Sequence, residues 1–162
     1  MSTRITATVD PTRSLTDART GEGHHVRLDT DPPEGDGGAA SPKETILAAL
    51  AGCTAMDVAS ILRKKRQTAT SYEIDVVGES GDEHPRVFTT ITVEHRVAGD
   101  VEAEALRRSI ELSVTRYCPV NAMLSASVTI THRYRLTRPD GESAEAVVAV
   151  TGPGRADVAP RS

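Results

Sequence analysis

Runs of β-forming residues at 3–9 and at 25–30 (HVRLDT) predict two short strands, separated by a stretch with Pro11, Gly21 and Gly23 that suits a turn. Residues 31–42 are rich in proline and glycine and predict a flexible loop. The strongest helix follows. Ser41-Pro42-Lys43-Glu44 supplies an N-cap, a proline for the first helical position and a glutamate that completes a capping box; Arg63, Lys64, Lys65 and Arg66 complement the negative end of the helix dipole. Ile46, Leu50, Cys53 and Asp57 share one stripe of that helix. Its other faces carry Ala48, Ala49, Ala51, Gly52, Ala55 and Ala59, a small-sided surface that predicts a central helix buried against close neighbours, with Gly52 marking a close approach beside Cys53.

Beyond it, Tyr72, Ile74 and Val76 alternate with Glu73 and Asp75, and residues 86–97 are β-branched, so a hairpin is predicted with its turn at Gly81 to Pro85. Residues 101–114 read as a second amphipathic helix, and Cys118-Pro119 opens another helical turn. In residues 128–136, Val128, Ile130, His132, Tyr134 and Leu136 alternate with polar positions and predict a strand. From Arg138 on, composition predicts a disordered tail, residues 138–162, in which AEAVVAV is the one candidate strand.

A chain of 162 residues is one domain's worth, placed here at residues 1–137. One Phe, three Tyr and no Trp leave few stacking platforms, and a net charge of −4 disfavours nucleic acid or an anionic membrane surface as partner. The first residues lack an apolar signal region and no run of about 18 apolar residues stands out, so a cytoplasmic protein without a membrane span is expected. In that compartment Cys53 and Cys118 are not a structural disulfide framework; any pairing would be transient and chemical. The five histidines are scattered with no cysteine at ligand spacing, and neither metal nor cofactor is expected.

The segment SPKETILAALAGCTAMDVASILRKKR, followed much later by TRYCPVNAML, resembles the OsmC/Ohr family of osmotically induced and organic hydroperoxide resistance proteins. The resemblance covers about residues 25–136 and implies an α+β fold of antiparallel sheets around a long central helix, in an intertwined homodimer with its sites at the subunit interface. It also implies thiol-dependent reduction of organic hydroperoxides, with Cys53 attacking, Cys118 resolving through a Cys53–Cys118 disulfide, and a dithiol reductant restoring both. The contrasting expectation is a non-catalytic or redox-sensing stress protein of the same fold.

The family pairs its reactive cysteine with a glutamate near the start of the same helix and an arginine from the N-terminal region. Here Glu44 stands nine residues before Cys53, about 13.5 Å and half a rotation away, so it cannot reach that thiol along its own helix. Two readings stay open: Glu44 approaches Cys53 of a second copy across an antiparallel helix crossing, or it only caps its helix. For the arginine, Arg19 and Arg27 are both placed suitably; Arg19, in a loop ahead of Gly21, is chosen. Asp57 either holds such an arginine or makes a buried polar contact, and Tyr117 either donates to substrate or packs. On local physics alone Cys118, just before Pro119 at a helix start, is the more acidic thiol.

Overall fold

The computed structural model describes residues 2–158, which form two compact units that meet in sequence at Ala48 and Ala49, where one domain over 1–137 was expected. In the first unit three antiparallel strands lie in chain order: β1 (Ile5–Val9), β2 (Thr16–Thr20) and β3 (His25–Leu28). β2 falls where the sequence suggested only a turn, because Thr16, Asp17, Arg19 and Thr20 give no apolar alternation. Arg19 is therefore a strand residue, not a loop residue.

The loop beyond β3 is not free. The buried Asp29 carboxylate accepts hydrogen bonds from the backbone N–H groups of Thr30 and Gly38, both at 2.8 Å, and Gly37 N–H donates to Thr30 O at 3.0 Å. These bonds pin the segment that feeds α1 (Pro42–Lys64). At its start the capping box forms: Ser41 Oγ accepts from Glu44 N–H at 3.2 Å, and the Glu44 carboxylate accepts from Ser41 N–H at 2.7 Å.

α1 buries one narrow stripe, Leu50, Thr54, Val58 and Leu62, spaced one turn apart. The all-round burial expected of a central helix is not seen: Met56 is 68% exposed and Ile46 41%, and nothing lies within 4 Å of where a side chain on Gly52 would begin. α1 is also long and apolar enough to cross a membrane by length and composition, which the run-length reading missed because its apolar character is spread among small residues.

The second unit is built on a five-stranded sheet ordered β4 (Thr68–Ser80), β5 (Phe88–Asp100), β6 (Thr129–Thr137), β7 (Ser143–Gly152) and β8 (Arg155–Val158). β4 and β5 form the predicted hairpin; β4 is longer at both ends, and β5 starts two residues later than predicted and ends three later. Gly99, at φ +134°, pairs with Ala69 where Thr70 bulges out of the ladder before Ser71; a side chain on Gly99 would meet Thr68 O at 2.3 Å. β5 and β6 are parallel, which demands a crossover connection, and it is supplied by α2 (Ala103–Leu112), a π-helical turn (Ser113–Tyr117) and α3 (Pro119–Leu124). β7 and β8 continue the sheet antiparallel through the region expected to be a disordered tail. The polar residues at 138–145 hid a strand whose later positions, Val148 and Ala149, are buried; residues 159–162 lie outside the described residues.

The core lies between the inner face of this sheet and the helices. Val58 and Leu62 of α1 pack with Leu106 and Ile110 of α2 and with Val97, Tyr134, Leu136 and Val148 of the sheet. On the opposite face Glu94 accepts from Arg96 Nε at 2.7 Å and pairs with Arg133 Nε at 3.0 Å, so its carboxylate is covered by arginine stems.

Candidate redox site

Cys53 sits midway along α1 and is half-buried; Cys118 caps α3 and is only 3% exposed. Far apart in sequence, the two are neighbours close enough to influence one another's protons in the second unit, both as free thiols. The sulfur of Cys118 takes the role that Ser or Asp usually plays at a helix start, accepting from Asn121 N–H at 3.3 Å.

The expectation that a place at a helix start makes Cys118 acidic is overturned. Burial, and after it the hydrogen bond with Cys53, push the Cys118 thiol up to about 12, against the lowering pull of the Asn121 and Val120 N–H groups. At neutral pH Cys118 therefore keeps its proton. The geometry leaves Cys53 as the sulfur that a solute can reach and Cys118 as the proton-bearing neighbour beside it.

Beside this pair, Asp57, Ser60, Ile61 and Lys64 of α1 face Leu112 and Tyr117 across a cleft of about 310 Å³. Of the two roles open to Asp57, the structure shows the buried polar contact: its carboxylate accepts from Ser113 Oγ at 2.9 Å. Tyr117 does not pack into the core; it is 49% exposed on the cleft wall, with the Arg116 guanidinium 5.6 Å from its ring centroid.

The other expected site residues belong to the first unit. Glu44 is committed to Ser41, whose backbone N–H, and after it whose side chain, hold the Glu44 carboxyl below the ordinary glutamate range. Arg19 is exposed on β2, lining a shallow cleft of about 310 Å³ with Thr6, Thr8 and Asp17. Arg27 is likewise exposed on β3.

Four polar side chains behind Cys118 escaped the sequence reading as a group. Tyr72 Oη lies 2.7 Å from His95 Nδ1, His95 Nε2 lies 3.5 Å from His132 Nδ1, and His132 Nε2 lies 2.9 Å from Asn121 Oδ1. Both histidines are fully buried and Asn121 is 1% exposed. Burial pushes His95 down to about 4 and His132 to about 3, the latter lowered further by His95, so both rings are neutral; the same cause raises Tyr72. The signal was present: His132 falls on the apolar phase of its strand, and His95 continues the phase of Ile91, Val93 and Val97.

A mixed sheet with a helical crossover, and two thiols brought together from a long helix and a short one, place the chain among α+β proteins with a paired-cysteine centre. It belongs to the OsmC-like protein family, which matches residues 35–133. Protein YhfA of Escherichia coli K12 is 41% identical over 115 residues, covering 70% of this chain and 84% of that protein. A hypothetical protein from Aquifex aeolicus VF5 shares the fold at TM-score 0.75 and 23% identity, over 85% of this chain and 98% of that one. The organic hydroperoxide resistance protein OhrB of Bacillus subtilis shares it at TM-score 0.59 and 13% identity, over 83% and 98% of the two chains.

Proposed function

We propose that this protein is a thiol peroxidase that reduces organic hydroperoxides through a Cys53–Cys118 disulfide. The observation that carries the reading is the pairing itself: a half-buried thiol on α1 neighbouring a buried, protonated one, in a chain of the OsmC-like family. Among the structures that share the fold is one named for organic hydroperoxide resistance.

In the first step the Cys53 thiolate attacks the O–O bond of ROOH. The S–O bond forms, the O–O bond breaks, and the alkoxide leaves as ROH with a proton from solvent, giving Cys53–SOH. Cys118 then attacks that sulfur; the S–S bond forms and water departs. A dithiol reductant returns both cysteines to thiols.

The working unit in this reading is a cytoplasmic homodimer. The uncovered face of α1, with Ile46, Gly52 and Met56 open, and the exposed Ile5, Val9 and Val26 of the first sheet give a second copy apolar surface to cover. Glu44 and Arg19 are proposed to act on Cys53 across that interface, Glu44 in addition to its capping role.

The test mixes reduced protein with cumene hydroperoxide or with hydrogen peroxide and follows free thiols. Two thiols per chain should vanish, faster with the organic peroxide. Loss no faster than in Cys53→Ser rejects the peroxidase and leaves the redox-sensing or non-catalytic alternative.

A further inference from the structure

The hydrogen bonds behind Cys118 have only one consistent direction. Asn121 Nδ2 lies 3.3 Å from Val114 O and 3.4 Å from Thr151 Oγ1. Val114 O can only accept, so the amide nitrogen faces it and Oδ1 faces His132. An amide oxygen also only accepts; His132 Nε2, at 2.9 Å, therefore carries the ring proton. In a neutral imidazole Nδ1 is then an acceptor, so His95 Nε2 donates to it, and His95 Nδ1 is left to accept from Tyr72 Oη. Every link points from Tyr72 toward Asn121. One carbonyl group, Val114 O, sets the place of every proton.

Burying two histidines, an asparagine and a tyrosine hydroxyl costs stability relative to an apolar core even when all are bonded. The chain ends on the residue whose backbone N–H donates to Cys118 Sγ. With its side chain gripped by Val114, Thr151 and His132, Asn121 has no freedom to swing that N–H off the sulfur.

We propose that Tyr72, His95, His132 and Asn121 are positioning residues for Cys118, holding the Asn121 N–H on its sulfur so that the thiolate is stabilised as it forms during closure of the bond to Cys53. The proposal rests on the Cys53–Cys118 disulfide of the preceding section. In closure the Cys118 S–H bond breaks, the S–S bond forms, and the oxygen of Cys53–SOH leaves as water with that proton. A hydrogen bond to sulfur favours thiolate over thiol, so the network acts on closure and not on the first oxidation.

The test uses diamide, a two-electron oxidant of dithiols that works whether or not hydroperoxides are substrates. Its N=N bond adds the Cys53 sulfur and a proton; Cys118 then displaces the hydrazine, closing the disulfide. Adduct and disulfide are followed by mass spectrometry in wild type, His132→Leu, His132→Gln and Thr151→Val. His132→Leu should form the adduct at the wild-type rate and close about tenfold more slowly, the effect of one weakened hydrogen bond to a charged sulfur. Thr151→Val should slow closure about threefold. His132→Gln, whose amide can donate to Asn121 and accept from His95, should close within about twofold of wild type. Unchanged closure in His132→Leu overturns the proposal, as does equal slowing of adduct and closure, or a His132→Gln as slow as His132→Leu. If His132→Leu does not fold, wild-type closure in Thr151→Val overturns it. Thiols that survive cumene hydroperoxide while the diamide pattern holds reject the peroxidase and leave the positioning role standing.

Discussion

Replacing Cys118 with serine is expected to leave the first oxidation at its wild-type rate and to trap Cys53 as a sulfenic acid. The buried thiol neighbours Cys53 in the same chain, so its attack is intramolecular. Such an arrangement outruns an external thiol by at least about 100-fold. In wild type the sulfenic acid therefore vanishes as it forms, whereas in Cys118→Ser it should persist at least about 100 times longer and be captured by dimedone, as read by intact mass. Serine keeps the helix cap, since its oxygen also accepts from an N3 N–H, so the variant should fold as wild type does. Equal lifetimes in the two proteins would show that Cys118 is not the resolving thiol. Cys53→Ser should give no sulfenic acid at all.

The second large effect concerns acid stability. His95 and His132 have folded pKa values of about 4 and about 3, below the ordinary 6.5. Groups lowered on folding contribute stability that is complete above the unfolded value and lost as pH falls through the folded ones. Here the window runs from about 6.5 down through 4 and 3. Between pH 7 and 5, above the range where ordinary carboxylates take up protons, the unfolding free energy should fall by about 2 kcal/mol per histidine. Urea unfolding at several pH values measures it. His132→Gln should remove its share, halving the slope, and His95→Gln with His132→Gln should flatten it. An unchanged slope in the double variant would place the acid sensitivity elsewhere.

The legible parts of this protein are those where one local rule dominates. Ser41, Pro42 and Glu44 announced the start of α1, and they form the cap they spell. The β4–β5 hairpin was visible from its alternation. β2 was not, because a strand in an exposed three-stranded sheet needs no apolar phase. β7 was masked by the polar composition around it.

At the site, both cysteines were found from their contexts, but the acidity of Cys118 was misjudged. A helix start lowers a thiol pKa only when the sulfur stays wet; burial of Cys118 outweighs two backbone N–H groups. The histidine chain was missed for a related reason. His95 and His132 lie on strands distant in sequence and come together only through the parallel β5–β6 register, in which Val93 pairs with His132 and His95 with Tyr134. Nothing local to either histidine encodes that meeting.

The separation of the two cysteines along the chain has a further consequence. Joining them closes a loop of roughly 65 residues, and a cross-link of that span removes enough freedom from the unfolded chain to stabilise the folded one by about 4 kcal/mol. If the two cysteines pair as proposed, the disulfide form should be the sturdier one. A melting curve of the disulfide form should lie above one taken with reductant, so that oxidation would act as a brace on the fold as well as a step in the proposed cycle.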